Sequence, residues 1–308
     1  MFYKNKSVIV TAVFAAAGLF FLSTPASAHH EAMFGPQSSA VLSPGMFISL
    51  QMFDREDGQG GYRHRETTSV YSLGVKPFQN PLSFAVVAAN TREAYSYLGS
   101  TTRFEDPLIS ARYRVDAPGV AKALGVQESY VMGVGGLEVP LGNKDHAAGH
   151  GPMGEIAAGL FSIEKRPLAG IAYAYYHHAG EYNNGMQAQV DGANVSVTRQ
   201  NGNFFTGTGV AYTPIDDDAI GHLFSMQLGL SYEKTLAMEE LGKPVAGTAA
   251  NAVMMHPGLV FQTNPRFQFF ALVSLPLTQH FESLDYRQRF RLGLGTIIML
   301  GHSKESTK

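Results

Sequence analysis

Residues 223–233 read Leu-Phe-Ser-Met-Gln-Leu-Gly-Leu-Ser-Tyr-Glu, and they alternate between apolar and polar side chains. Every second position from Phe224 to Tyr232 is apolar, and the positions between them, from Ser225 to Glu233, are polar or glycine. A period of two predicts a β-strand with one apolar and one polar face. A tilted strand needs about ten residues to cross a bilayer, and a tyrosine at the end of the apolar face is typical of a membrane aromatic belt. The stretch therefore predicts a transmembrane β-strand.

The same unit recurs along the chain between turns rich in Gly, Pro and Asn. The predicted strands cover residues 46–53, 67–75, 82–89, 108–116, 130–141, 155–163, 169–178, 204–212, 223–233, 253–262, 266–275 and 286–300. Residues 54–61 read as a charged flexible loop, residues 120–124 as a helical turn, and residues 187–199 are ambiguous. About twelve strands, an even number, is typical of a single-chain outer-membrane barrel. The fold class predicted is all-β, an antiparallel transmembrane β-barrel.

A soluble β-sandwich is the alternative, because its strands alternate as well. Its polar face would be solvated and rich in Lys, Glu and Thr. Here the polar positions are mostly Gly, Ser, Thr and Gln with a few Arg, and strand lysines are nearly absent. Small inward-facing residues fit the lumen of a barrel better than a surface in water, so the pattern favours the barrel.

The N-terminus predicts export. Lys4 and Lys6 precede an apolar core at residues 8–22, and Ala26-Ser27-Ala28 fits the cleavage rule of a signal peptide. An uncleaved anchor is the alternative. The predicted organisation is a signal peptide at 1–28, an irregular segment at 29–43, the barrel at 44–301 and a polar tail at 302–308. We expect such a protein to lie in the outer membrane of a Gram-negative cell, in contact with its lipid, after insertion by the barrel-assembly machinery.

Composition excludes several classes of protein. The chain of 308 residues has no Cys and a formal net charge of −2. The absence of Cys excludes disulfides and thiolate metal sites. A near-neutral charge gives no footprint of a nucleic-acid binder.

The chain also resembles a known group of bacterial proteins. Phe34-Gly35-Pro36 near the expected mature start, Gly- and Phe-rich strands, and the turn Val-Pro-Leu-Gly-Asn at 139–143 are similar to bacterial outer-membrane barrels. Among these, it resembles the transporters grouped with the meta-pathway phenol-degradation proteins, over most of residues 40–300. The resemblance implies a channel or transporter that passes a small solute, hydrophobic ones among the candidates. The polar tail at 302–308 departs from the terminal aromatic residue of many such barrels.

Histidines at the new N-terminus suggest a metal-binding alternative. Cleavage after Ala28 leaves His29 with a free amine next to its imidazole, and His30 adds a second ring. Amine and imidazole nitrogens suit copper, so one alternative is an outer-membrane or periplasmic copper-binding protein. A flexible tail with solvated histidines explains the same residues.

A second histidine pair lies in a predicted loop. His146 and His150, near Asp145 and Met153, are a candidate site for copper or zinc. Gly149 and the following Gly-Pro break any helix that would fix their spacing, and loop histidines are commonly solvated.

Two groups of arginines alternate with apolar residues, Arg112 and Arg114 in one strand and Arg287, Arg289 and Arg291 in another. Charge on the lipid side would cost about 2–4 kcal/mol at the midplane, so both groups should point into the lumen. There they can pair with Glu138, Glu233 or Asp116, or form an anion-favouring constriction for the solute. Simple ion pairing with no role in transport is the alternative.

Catalysis is the weakest prediction, although some outer-membrane barrels are lipid hydrolases with a Ser activated by His. His302 and Ser303 lie in the polar tail, and His222 and Ser225 fall on opposite faces of a strand. The sequence therefore predicts no enzyme, with a barrel hydrolase as the second alternative.

Overall fold

The computed structural model describes residues 45–59, 62–76, 81–95, 99–104, 106–139, 155–190, 193–199, 202–217, 222–264, 266–282 and 286–300. The predicted signal peptide, the irregular segment up to residue 43 and the polar tail lie outside the described residues. No helix among the described residues is long and apolar enough to span a bilayer.

Strands make up most of the described chain, and one short helix interrupts them. The elements are β1 (Gly45–Gln59), β2 (Tyr62–Lys76), β3 (Leu82–Tyr95), β4 (Gly99–Phe104), β5 (Leu108–Asp116), α1 (Pro118–Leu124), β6 (Glu128–Glu138), β7 (Glu155–Lys165), β8 (Leu168–His178), β9 (Glu181–Val190), β10 (Ala193–Arg199), β11 (Asn203–Asp217), β12 (His222–Thr235), β13 (Glu239–Glu240), β14 (Lys243–Pro244), β15 (Ala250–Asn264), β16 (Phe267–Phe281) and β17 (Tyr286–Leu300).

The main sheet closes on itself. β1 pairs with β2 on one side and with β17 on the other, and Met46 lies opposite Leu300. β2 also pairs with β3, so the ring runs β1, β2, β3, β5, β6, β7, β8, β11, β12, β15, β16, β17 and back to β1. Every pairing is antiparallel. The predicted barrel of about twelve strands is confirmed.

One position in the ring is shared by two short strands. β5 pairs with residues 82–87 of β3, whereas β4 pairs with residues 90–95 of the same strand. β4 and β5 together therefore act as one broken strand that follows β3 along its length.

The two ends of the barrel differ. At the end where residues 45 and 300 lie, neighbouring strands are joined by short turns, such as Arg166-Pro167 between β7 and β8, and by α1 between β5 and β6. At the opposite end several connections are longer, although residues 60–61 alone join β1 to β2. The strands β9, β10, β13 and β14 form a separate four-stranded sheet there. Outer-membrane barrels place short turns toward the periplasm and long loops outside the cell, which assigns the two ends.

Exposure alternates along the strands as predicted. On β12, Leu228 is 48% exposed and faces outward, whereas Ser225, Ser231 and Glu233 are buried and face inward. The outward face carries an apolar belt around the ring, which includes Leu73, Val86, Ile109, Val131, Val210, Leu228, Leu259, Phe269 and Leu294. An apolar belt is what the hydrocarbon core of a bilayer requires, since it offers no partner for polar groups.

One local prediction needs correction, and one ambiguous stretch is resolved. Residues 54–59, predicted as a flexible loop, continue β1 and pair with both of its neighbours. Backbone hydrogen bonds to two flanking strands stabilise this charged segment, which neither periodicity nor propensity indicates. The ambiguous stretch at 187–199 contributes to the β9–β10 hairpin, outside the barrel wall.

Candidate functional site

Two clusters of inward-facing side chains, which differ in chemistry, lie on different strands of the lumen wall. We call the first the apolar half: it is the cluster of inward-facing side chains on β2, β3, β5, β6, β7, β8 and β11. Its members are Val70, Val87, Ala89, Leu108, Tyr130, Met132, Val134, Leu160, Tyr175 and Phe205, with Ile171 and Tyr173 packed against them. Aliphatic and aromatic side chains therefore line the inside of the barrel along seven neighbouring strands.

Aromatic rings give the apolar half a defined shape. The rings of Tyr173 and Phe205 stack with centroids 5.4 Å apart. Tyr173 lies opposite Gly207 on the neighbouring strand, and a Cβ at Gly207 would lie 2.5 Å from Tyr173 Oη and 2.7 Å from the Leu230 carbonyl oxygen. The absence of a side chain at Gly207 thus leaves room for the tyrosine ring.

The remaining strands carry a polar cluster beside the buried side chains of Met254, Val260, Phe270 and Ile297. We call it the polar half: it consists of Ser231, Glu233, His256, Ser274 and Arg291 on β12, β15, β16 and β17, all of them buried. Arg291 binds the Glu233 carboxylate with two hydrogen bonds, Nη1 to Oε1 at 3.1 Å and Nη2 to Oε2 at 2.6 Å. Glu233 lies on β12 and Arg291 on β17, and β15 and β16 lie between these two strands. The ion pair therefore connects two strands that are not neighbours in the barrel wall.

A Ser–His–Ser chain extends from the same carboxylate. The Ser231 hydroxyl donates to Glu233 Oε1 at 3.2 Å and lies 2.7 Å from His256 Nε2, and His256 Nδ1 lies 2.8 Å from the Ser274 hydroxyl. Which of the two His256 ring nitrogens carries the hydrogen depends on the tautomer. The Ser–His–Ser chain is a buried hydrogen-bonded network that ends at the ion pair of Glu233 and Arg291.

The contacts of His256 with Ser231 and Ser274 are what sequence reasoning missed. His256 and Ser274 occupy inward positions of amphipathic strands, and that alternation is the only signal that indicates them. Their contact depends on the register of β15 against β16, which a single sequence does not reveal. The pair examined at the sequence level, His222 and Ser225, is separated as predicted, with His222 exposed and Ser225 buried.

The first arginine group lies on β5 and points inward. Arg114 bonds to Asp116 at 2.5 Å and to Glu128, and its guanidinium lies 4.1 Å from the centre of the Tyr130 ring. Arg112 is only 6% exposed, and no described residue forms a hydrogen bond or ion pair with it. The charge of Arg114 is therefore paired with carboxylates, whereas the charge of Arg112 has no counterion among the described residues.

Glu138, predicted as an arginine partner, faces a histidine. Its Oε2 lies 3.3 Å from His177 Nε2, and both side chains are buried near the long-loop end of the apolar half.

The predicted shared face of Arg287, Arg289 and Arg291 is wrong for the last two. The register between β1 and β17 shifts at this point, so that Phe290 pairs with Glu56 but Gln288 pairs with Asp57. The resulting bulge turns Arg289 to the exposed side while Arg291 is buried. The side chain of Arg287 lies outside the described part of the chain.

The predicted metal ligands His29, His30, His146 and His150 also lie outside the described residues. Within the described ranges, no group of three or more His, Asp or Glu side chains is arranged to hold a metal ion. The copper hypothesis stays a prediction.

Comparison with known proteins identifies the fold. No protein-family model matches the sequence, and a comparison with curated proteins gives no match. Among solved structures, the chain is similar to the COG4313 outer membrane channel from Pseudomonas putida F1, with 14% identity, a TM-score of 0.62 and coverage of 84% of this chain and 97% of the other. It is also similar to the beta domain of the Bordetella autotransporter BrkA, with 10% identity, a TM-score of 0.49 and coverage of 83% and 100%.

The first of these likenesses extends over nearly the whole of the other chain and agrees with the ring of strands and the apolar belt. The protein has the fold of a bacterial outer-membrane β-barrel, and that fold agrees with the predicted outer-membrane location.

Proposed function

We propose that the protein is an outer-membrane channel for small apolar solutes. The observation that carries the proposal is the apolar half of the lumen, where ten buried hydrophobic side chains point inward. In a transmembrane barrel the inside normally faces water and is polar. Apolar side chains on both faces of the same strands therefore require a reason other than contact with lipid.

Recognition of an apolar solute supplies that reason. Binding sites for small molecules are lined mainly by hydrophobic and aromatic side chains, with a few polar groups that fix orientation. Tyr173 and Phe205 present stacked rings, and Tyr130 and Tyr175 add two more, while the polar half completes the wall on the other side. The free-energy cost of moving from water to this surface would be smaller for a solute with an aromatic ring than for a sugar, because a sugar would lose hydrogen bonds with water.

The test is solute entry into vesicles whose outer leaflet contains lipopolysaccharide, which retards apolar compounds. N-phenyl-1-naphthylamine is a suitable probe, because it is neutral and aromatic and its fluorescence rises in apolar surroundings. We expect the wild-type protein to raise its rate of entry several-fold over protein-free vesicles. We expect Phe205→Gln, which places an amide among the buried apolar groups, to lose most of that gain.

Phe104→Gln is the matched control, since Phe104 is 73% exposed and contributes nothing to the lumen cluster. It should transport like the wild-type protein. A wild-type barrel that leaves the entry rate unchanged contradicts the proposal, as does one that passes arabinose as fast as the aromatic probe.

A further inference from the structure

We propose that Arg112 binds the carboxylate of an amphipathic anion, an aromatic or alkyl monocarboxylate whose apolar part lies against the apolar half. The inference rests on the proposed function, because it assigns the solute class of the same lumen. No other described residue of the lumen supplies a counterion for the buried charge of Arg112.

The Arg112 side chain is a buried cation for which no described residue supplies a counterion. It points into the lumen, is 6% exposed, and has a buried Nε without a hydrogen-bond partner. A guanidinium remains charged in proteins and offers five N–H donors. Buried charges are normally paired, since the loss of hydration is otherwise uncompensated. A permanent cation in this position needs an anion that the described residues do not supply.

The neighbouring arginine on the same face of β5 has carboxylates of its own. Arg114 is two residues away and binds both Asp116 and Glu128. Those two carboxylates therefore pair with Arg114, and neither of them bonds to Arg112.

Arg112 lies beside the apolar half of the lumen. Arg112 lies directly opposite Val134 on β6, and the row of cross-strand partners continues through residue 158 to Tyr175 and then Phe205. Val134, Tyr175 and Phe205 all belong to the buried cluster. A solute whose carboxylate meets Arg112 would thus extend its apolar part along this row.

The combination selects a chemical class. Guanidinium and carboxylate form two parallel, charge-assisted hydrogen bonds, which a neutral alcohol of the same shape cannot reproduce. A small inorganic anion could meet the charge but would leave the aromatic surface unused. Hydrogen bonds to charged groups typically change affinity about 10-fold to 100-fold.

The experiment compares two probes of matched shape, benzoate and benzyl alcohol, by isothermal titration calorimetry at pH 8 with the intact barrel in detergent. We expect the wild-type protein to bind benzoate at least about tenfold more tightly, and Arg112→Gln to remove that preference while it still binds benzyl alcohol. Arg266→Gln removes the same charge from an exposed turn and should keep the preference. Heat-modifiable migration on gels verifies that each variant is folded.

Three results would overturn the assignment: equal binding of the two probes by the wild-type protein, an unchanged preference in Arg112→Gln, or competition by chloride as effective as that by benzoate. The third result would indicate an inorganic anion site. If N-phenyl-1-naphthylamine enters through the barrel while benzoate shows no preference, only this inference fails. If the neutral probe does not enter either, the proposed function fails as well.

Discussion

Arg112 and Arg291 are the same residue type, are both buried, and face the same lumen, yet their surroundings are opposite. Arg291 lies in the polar half, where Glu233 takes both of its Nη groups and Gln288 accepts a further bond at 3.1 Å. Arg112 adjoins the apolar half, without a carboxylate among the described residues. The polar half therefore supplies a carboxylate for its own buried guanidinium, whereas Arg112 is left for the anion proposed above.

The largest expected effect comes from breaking the network. Arg291→Gln leaves the Glu233 carboxylate buried without its cation, and removal of one member of a buried pair typically costs about 3–5 kcal/mol. The free energy of unfolding should fall by this amount. Urea unfolding of the barrel in lipid vesicles measures it, with tyrosine fluorescence as the signal.

The double variant Arg291→Gln with Glu233→Gln is the matched control, because it removes both charges and keeps two amides that can bond to each other. It should recover most of the lost stability. If the double variant is as unstable as the single one, the loss comes from packing and not from an uncompensated charge.

A smaller effect is expected from filling space in the apolar half. Gly207→Ala would bring a Cβ against the Tyr173 ring and the Leu230 carbonyl oxygen, and overpacking of this kind typically costs about 1–3 kcal/mol. Gly159→Ala is the control, since nothing lies within 4 Å of a Cβ at that exposed position. Equal stability of the two variants in urea would mean that the ring moves aside freely and that the aromatic surface is not preformed.

The strand pattern shows how far the sequence alone predicts this fold. The alternation at 108–116 and 286–300 predicts the bounds of β5 and β17 as the structure has them. It also predicts which side of β12 faces out, because lipid accepts only the apolar face. The extension of β1 to Gln59 could not be predicted in the same way, because residues 54–59 are mostly charged residues and glycine, which are uncommon in strands. They adopt the strand conformation because they pair with β17 on one side and β2 on the other.

The site is less accessible to sequence reasoning than the fold. The inward direction of Arg112 follows from alternation within its own strand. That Arg291 meets Glu233, while Arg289 turns to the exposed side, depends on a register shift between β17 and β1. That His256 meets two serines depends on three strands aligned side by side. Such contacts arise between segments distant in the chain, and periodicity within one segment contains no information about them.

The smallest effect, and the sharpest contrast with Arg291, is expected for the stability of Arg112→Gln. The substitution removes a buried charge that has no partner among the described residues, so it relieves a desolvation cost and breaks no ion pair. Replacing an uncompensated buried ion by a neutral group is typically neutral or stabilising, and we expect the free energy of unfolding to be unchanged or to rise by about 1 kcal/mol.

The same urea titration, performed without and with benzoate, measures this change. Benzoate should stabilise the wild-type protein and leave the variant unaffected, because a ligand stabilises only the state that binds it. A loss as large as that of Arg291→Gln would show that Arg112 is held by a structural partner after all, and the difference between the two halves of the lumen would then be one of packing alone.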